Sequence, residues 1–387
     1  MAQTGYTAEQ EQMRAAVREL CRRFPLAYWS ELDAARRYPD EFVRALTDAG
    51  WLSILIPEEY GGAGLGTLEA GLVLQEINAN GGSAVVCHAQ MYTMGTLLRH
   101  GSPEQKQRYL PKIAAGSLRL QSFGVTEPDA GSDTTNISTF AKRQGEHYVV
   151  NGRKVFTSRV QHSDLLMLLA RTTPRDQVTR RTDGLSVFLV DLRTAGDALQ
   201  VRPISTWANH ETNELTFDGL EVPEGNRIGE EGRGFRYILS GMNAERVLVA
   251  SEALGDGYFY IERAAKYASE RVVFDRPIGQ NQGVQFPLAK SYVALEAARL
   301  MRDAAARRFD SGDAGGDEAN MAKYLASEAA WEAANAALVA FGGYGYTTEF
   351  GIERKVRETR ITLTAPISNN LVLSYVGEHV LGMPRSY

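Results

Sequence analysis

Glu245-Arg246 stands between Met242-Asn-Ala244 and Val247-Leu-Val-Ala250, so a carboxylate and a guanidinium share a stretch that otherwise reads as a buried helix. A carboxylate kept dry has a raised pKa and suits general acid–base work. On a solvated helical face the same pair is an ordinary ion pair, and by residue type alone that is the default. Thr126-Glu-Pro-Asp-Ala-Gly-Ser-Asp133 is built from turn residues and by composition joins two strands. Arg271 ends a helical stretch, where a cation is favoured by the helix dipole. Metal chemistry finds little support: His88, His100, His147, His162, His210 and His379 are scattered, with no pair at helical spacing around a carboxylate. Ala130-Gly-Ser-Asp133 lacks the Gly-x-Ser-x-Gly elbow of a hydrolase. Gly61-Gly-Ala-Gly-Leu-Gly66 resembles a phosphate loop, but no Lys-Ser/Thr follows and no strand precedes it, so a flexible connection is expected there.

The elements that must position these residues fall into three blocks, an α+β chain expected to divide as 1–120, 121–228 and 229–387. The first is helical. Thr7 with Gln10, and Ser102-Pro103 with Gln105, make capping boxes, and Leu68 to Asn80 and Ser83 to His100 carry helix-spaced apolar residues. The second is a β-barrel domain by its strand-length runs: Leu165 to Ala170, Leu185 to Leu192, Leu199 to Ile204 and Glu214 to Phe217. Within it, His147 to Phe156 predicts a hairpin turning at Asn151-Gly152. The third predicts a four-helix bundle over Phe235 to Tyr267, Val284 to Phe309, Glu318 to Phe341 and Ile367 to Leu381, with Asp310 to Gly316 as a loop. Because the strands come in one block, a dinucleotide fold of alternating strands and helices is excluded, and the lone Gly343-x-Gly345 does not restore it.

With 387 residues the chain exceeds a single core, and 42 Lys+Arg against 47 Asp+Glu leave no basic excess for a nucleic-acid partner. Cys21 and Cys87 cannot build a disulfide framework or a four-thiolate site. The segment Met1 to Glu9 has no signal-peptide pattern and the apolar runs are too short to span a bilayer, so a cytoplasmic address is expected.

Five ordered segments resemble the acyl-CoA dehydrogenase family of flavoproteins: Val125-Thr-Glu-Pro-Asp-Ala-Gly-Ser-Asp133, Asn151-Gly-Arg-Lys-Val-Phe-Thr-Ser158, Arg271-Val-Val-Phe-Asp-Arg-Pro-Ile278 with Gln282, Phe341-Gly-Gly-Tyr-Gly345, and Arg357-Glu-Thr-Arg-Ile361. The resemblance implies a helical, β, helical three-domain fold, non-covalent FAD, and removal of hydrogen from the α and β carbons of an acyl thioester. It places Phe123, Val125 and Thr126 at the flavin edge, Phe156 over the ring and Ser158 near N5. Ser132 falls in the CoA or flavin phosphate region. Arg271, Phe274, Asn281 and Gln282 would hold the pyrophosphate and adenosine across a subunit interface, with Gly342 and Gly343 of a neighbouring chain, and Ser368 and Asn370 would also touch FAD.

Most members of the family carry the catalytic base in a Glu-Gly-Thr loop. Counting on from Arg357-Glu-Thr-Arg-Ile361, Pro366 occupies that position, and proline has no proton to exchange. A subgroup that includes isovaleryl-CoA and long-chain enzymes carries the glutamate on a helix directly before an arginine, and Met242-Asn-Ala-Glu-Arg246 is similar to it. The resemblance therefore assigns Glu245 as the base, with Met242, Asn243, Arg246 and Ser132 near the substrate. It also implies a loop N–H aimed at the thioester oxygen; proline cannot supply one, so Ile367 is expected to do so. Val339 stands where a glutamine often meets the adenosine, and Arg159 where asparagine is common.

The activity implied is FAD-dependent acyl-CoA dehydrogenation to the trans-2-enoyl thioester, with an electron-transfer flavoprotein as acceptor and a homo-oligomer, usually a tetramer, as the assembly. Two alternatives share the fold: a flavin monooxygenase or acyl-carrier-protein dehydrogenase, and a non-catalytic acyl-CoA or flavin binder for which Pro366 would be the mark.

Overall fold

The computed structural model describes residues 5–313 and 315–385. Ala314, in the expected Asp310 to Gly316 loop, and the first four residues lie outside them. The chain forms two compact units, one of residues 1–45, 66–85 and 243–387, the other of residues 46–65 and 86–242.

Helices open the chain: α1 (Ala8–Arg22), α2 (Leu26–Ala35), α3 (Asp40–Asp48), α4 (Thr67–Ala79), α5 (His88–His100) and α6 (Pro103–Ala114). Both expected capping boxes form, at Thr7–Gln10 and Ser102–Gln105, each satisfying two orphan N-terminal groups. α4 is almost wholly buried, with polar Gln75, Glu76 and Asn78 among its buried residues, whereas α1 buries one stripe, Met13, Val17 and Leu20. The glycine-rich connection after Pro57 is pinned rather than flexible. Gly62 N–H donates to Pro57 O, Gly64 to Ile56 O and Leu65 to Ile54 O, at 3.2, 2.8 and 2.9 Å.

In the second unit, β1 (Leu120–Gly124), β2 (Phe140–Gln144), β3 (His147–Ser158), β4 (Leu165–Arg171), β5 (Leu185–Asp191), β6 (Leu199–Pro203), β7 (Thr212–Pro223) and β8 (Arg227–Ile228) form one sheet. Its order is β6-β7-β3-β2-β4-β5-β8, with β1 parallel to β4. β4 and β5 are apolar on both faces and so feed two cores. Leu165, Met167, Leu169, Leu185, Val187 and Leu189 point into one; Leu166, Leu168, Ala170, Phe188 and Val190 point into the other.

One expectation is corrected here. Asn151-Gly152 is not a hairpin turn: β3 runs unbroken for 12 residues, and the pair sits at a register shift against β7 between Val150 and Gly152. Gly152 has φ +143°, and a Cβ there would lie 2.6 Å from the Thr139 Cα, so glycine serves a bulge and a close approach. Asn151 Oδ1 accepts from Gly219 N–H at 2.9 Å, which holds the bulge to β7. The β2–β3 turn is made instead around Gly145, at φ +63°.

The C-terminal part contains α7 (Gly234–Glu270), the short pair β9 (Val272–Val273) and β10 (Arg276–Pro277), then α8 (Gln282–Asp310), α9 (Gly316–Phe341), α10 (Ile352–Thr359) and α11 (Asn369–Tyr375). The last expected helix, Ile367 to Leu381, begins later, at Asn369 under a Ser368 cap, and widens into a π-turn over Val376–Val380. Asp310, at the end of α8, accepts from Thr67 and Leu68 N–H at 2.8 and 3.2 Å and so caps α4 from outside. Among the described residues no helix is long and apolar enough to cross a membrane.

Candidate active site

In the sheet unit the residues expected at the flavin edge converge. β1 and the chain leaving it carry Phe123, Val125 and Thr126, and β3 carries Phe156 and Ser158. Val155 N–H donates to Thr126 O at 2.9 Å, and the Ser122 hydroxyl donates to Ser158 O at 3.1 Å. A buried ion pair supports both segments. Lys154, with none of its side chain exposed, donates from Nζ to Val125 O at 2.8 Å and to Glu127 Oε1 at 2.9 Å. Glu127 also accepts from Ser138 N–H and Oγ and from Thr139 N–H. Burial works to raise the Glu127 carboxyl, but Lys154 and these N–H donors outweigh it and hold it below the usual carboxylate range. Burial likewise pushes Lys154 down to about 8 against the pull of Glu127. The Thr126 to Asp133 turn is therefore ordered from beneath by Glu127, while Ser132 lies exposed on its outer side.

Phe156 is 64% exposed and holds φ +58°, a left-handed backbone that bulky residues rarely adopt. An exposed aromatic kept in a costly conformation marks a surface shaped for something flat to cover it.

In the other unit, Tyr267, Arg271, Val273, Ile278 and the segment Ala340 to Tyr344 line a cavity of about 440 Å³, which brings Arg271 together with Gly342 and Gly343. Tyr267 and Phe341 stack in its wall, ring centroids 4.2 Å apart. Neither glycine is required by crowding, since a Cβ on either would meet no protein atom within 4 Å. What the missing side chains leave is open backbone beside a guanidinium. Phe274 is 93% exposed and Gln282 is exposed. Asn281 is occupied within the chain, accepting from Arg276 Nη2 and donating to Ile278 O, at 2.9 and 3.0 Å. Val339 is exposed.

Glu245 and Arg246 are buried on α7, at 8% and 7% exposure, so the solvated-face reading of the pair does not hold. Arg246 Nη1 donates to Asn243 Oδ1 at 2.6 Å, and burial lowers its pKa against the opposing charges of Glu245 and Tyr375. Among the described residues its buried Nε has no hydrogen-bond partner. Tyr375 donates to Asp317 at 2.8 Å, and burial with that bond pushes its phenol up to about 12.

The loop before α11 is held by a residue that no sequence motif singles out. Lys323, fully buried on α9, donates to Ile367 O at 2.7 Å and Asn369 Oδ1 at 2.6 Å. Asn369 in turn donates to Ser327 Oγ and Glu328 Oε1, at 3.0 and 2.7 Å. Burial lowers Lys323 to about 8; Glu328 opposes that and Arg246 adds to it. The one signal for this residue is a lysine on the same helical stripe as Ala319, Ala326 and Ala330. Among the described residues, the Ile367 N–H joins none of the loop's backbone hydrogen bonds. Ser368 accepts from Leu371 N–H as a helix cap, and Asn370 is exposed.

Three family models cover nearly all of the chain: acyl-CoA dehydrogenase N-terminal domain at residues 7–117, middle domain at 122–220 and C-terminal domain at 232–378. An acyl-CoA dehydrogenase of Mycobacterium bovis is 34% identical over 98% of this chain and 97% of its own length. One from Bacillus subtilis is 34% identical over 97% and 99%. The solved glutaryl-coenzyme A dehydrogenase complex superposes with a TM-score of 0.92 at 30% identity, covering 99% and 98% of the two chains. The chain belongs to the acyl-CoA dehydrogenase family and has its fold of helical, β and helical parts. It is an oxidoreductase of the acyl-CoA dehydrogenase type, with FAD as its cofactor. The residues present fit that group: an exposed left-handed aromatic on a strand in one unit, and open glycine backbone beside Arg271 in the other.

Proposed function

We propose that the chain dehydrogenates an acyl-CoA thioester to the trans-2-enoyl-CoA, with Glu245 as the base that removes the α-proton. The observation that carries this is the burial of Glu245 on α7 while the loop position used by most of the family holds Pro366. A carboxylate with little water around it is more basic toward carbon once an acyl chain has dried the site further. The α-proton of a thioester is far too weakly acidic for a carboxylate unless the developing enolate oxygen is stabilised by aimed donors. Ile367 N–H is the donor assigned here. Lys323 fixes the carbonyl of the same residue, and among the described residues no backbone bond competes for the N–H. FAD, when bound, supplies the acceptor for the hydride leaving the β-carbon. Phe123, Val125, Thr126, Phe156 and Ser158 are assigned to its ring, and Arg271, Phe274, Gln282, Gly342 and Gly343 to its pyrophosphate and adenosine. Ser132, Ser368 and Asn370 complete the contacts, together with Asn281, which also orders the Arg276 turn. Met242, Asn243 and Arg246 border the acyl site.

A base approaching from the helix leaves the loop side free for bulk, which favours branched or longer acyl groups. The proposal includes an electron-transfer flavoprotein as oxidant, a cytoplasmic setting, and a homotetramer whose subunits share each FAD site. Exposed Phe286, Val293 and Leu300, seven residues apart on α8, support such an assembly, because they form an apolar face that water would not favour.

The test is anaerobic titration of the FAD-bound protein with short, medium, long and branched acyl-CoAs, followed by the visible spectrum. Bleaching by one class establishes dehydrogenation and names the range. No bleaching by any class, with FAD bound, rejects the proposal.

A further inference from the structure

Arg159 follows Ser158 at the end of β3 and, like Asn209 in the loop before β7, has a left-handed backbone, at φ +61° and +55°. Arg159 is only 3% exposed. Its N–H donates to Glu211 O at 2.8 Å, and its Nη1 donates to Asn209 Oδ1 at 3.2 Å. A guanidinium carries donors and no acceptor, so the oxygen of the Asn209 amide must face it and the nitrogen must face away. That nitrogen donates to Ser158 Oγ at 2.9 Å and to Thr212 Oγ1 at 3.0 Å.

The two hydroxyls that receive it differ in what remains to them. Thr212 donates its own proton to Asn209 O at 2.7 Å, so it is saturated within the loop. Ser158 accepts the amide on a lone pair and keeps its proton, for which the described residues provide no hydrogen-bond acceptor. Were the amide reversed, its oxygen would take the Ser158 proton and leave the hydroxyl facing outward as an acceptor. The orientation imposed by Arg159 prevents this.

We propose that Asn209, oriented by Arg159, is a positioning residue that makes the Ser158 hydroxyl a committed hydrogen-bond donor toward the bound flavin. The inference rests on the assignment of Ser158 beside flavin N5 made above. A donor aimed at the atom that is to receive hydride draws electron density from it and makes it a better acceptor. It also gives a purpose to Arg159, which stands where the family commonly has asparagine: a donor-only group is what a fixed amide needs.

The experiment uses the full chain reconstituted with FAD carrying ¹⁵N at N5 and reads the N5 resonance of the oxidised flavin, which reports a hydrogen bond to that atom directly. Three variants are compared with the wild type: Ser158→Ala, Asn209→Asp and the double variant. Aspartate keeps the shape, tolerates the left-handed backbone and accepts only, so it takes the Ser158 proton away from the flavin. The expected result is that Asn209→Asp moves the N5 resonance in the same direction as Ser158→Ala and by a comparable amount, with no additional shift in the double variant. A wild-type resonance in Asn209→Asp overturns the inference. So does a shift that persists in full on the Ser158→Ala background, because the carboxylate charge would then be acting by itself. If Ser158→Ala leaves N5 unmoved while FAD stays bound, the placement of Ser158 at the flavin fails and takes the inference with it. Should Asn209→Asp not fold, Asn209→Gly suits φ +55° and removes the donor. A smaller shift in the same direction supports the inference, and none overturns it.

Discussion

In the proposed assignment Glu245 supplies the base and Ile367 the N–H that a single loop residue supplies in most of the family, because Pro366 can supply neither. On the proposed reading, Glu245→Gln keeps the size of the side chain and removes the base. Flavin reduction by acyl-CoA, followed by stopped-flow absorbance, should slow about 10³-fold with little change in substrate binding. Lys323 provides a test at another pH. Its folded pKa of about 8 lies below the ordinary 10.5, so between those values the unfolded chain binds more protons than the folded one. Stability owed to this group therefore rises with pH across that window, by at most about 1.4 kcal/mol per pH unit, and is least below pH 8, where a buried charge must be kept. Urea unfolding of the wild type and Lys323→Met at about pH 7.5 and about pH 9.5, either side of the folded value, checks the sign: the difference between them should shift in favour of the wild type at the higher pH.

At the scale of elements, the proposed flavin edge depends on how β1 and β3 are joined. Lys154→Met would leave Glu127 buried among N–H donors without its cation, an uncompensated charge that costs about 3–5 kcal/mol. The expected outcome is a lower denaturation midpoint together with loss of FAD during purification, because the chain around Val125 is held by the same Nζ. The bulge in β3 is equally exposed to substitution. Gly152→Ala would drive a Cβ against Thr139 at φ +143°, and a loss of about 2–4 kcal/mol is expected by chemical denaturation. Helix α4 shows the milder case. Asp310→Ala removes a cap supplied from the end of α8 and should cost about 1–2 kcal/mol in the same assay.

For the whole molecule, the exposed row Phe286, Val293 and Leu300 sets the expectation of self-association. A charge at the centre of a face buried between copies is strongly unfavourable, so Val293→Glu should lower the mass measured by light scattering. If the subunits share each cofactor site, the same variant should lose FAD as it dissociates. Dissociation with FAD retained would show that each chain holds its cofactor alone.

Patterns carried by neighbours in the chain are legible in the sequence: the capping boxes at Thr7 and Ser102, the block of strands between helical blocks, and the ordered motifs that bring Arg271, Gly342 and Phe156 into view. Each depends on residues a few positions apart, where local geometry decides the outcome. The bulge at Asn151-Gly152 is not legible in that way, because an Asn-Gly pair suits a hairpin turn and a bulge alike, and only the 12-residue partner β7 selects between them. Glu245 can be named from its arginine neighbour, but periodicity alone does not say which stripe of a long helix is covered, and so leaves open whether the pair faces water or the interior. Lys154, Lys323 and Asn209 escape the sequence for a different reason. Their work is done on residues 27 to 51 positions away, and a hydrogen bond across that distance leaves no mark on composition or spacing. Local sequence determined the elements and the chemistry they carry; packing decided which polar groups were buried, which were paired, and in which direction each donor points.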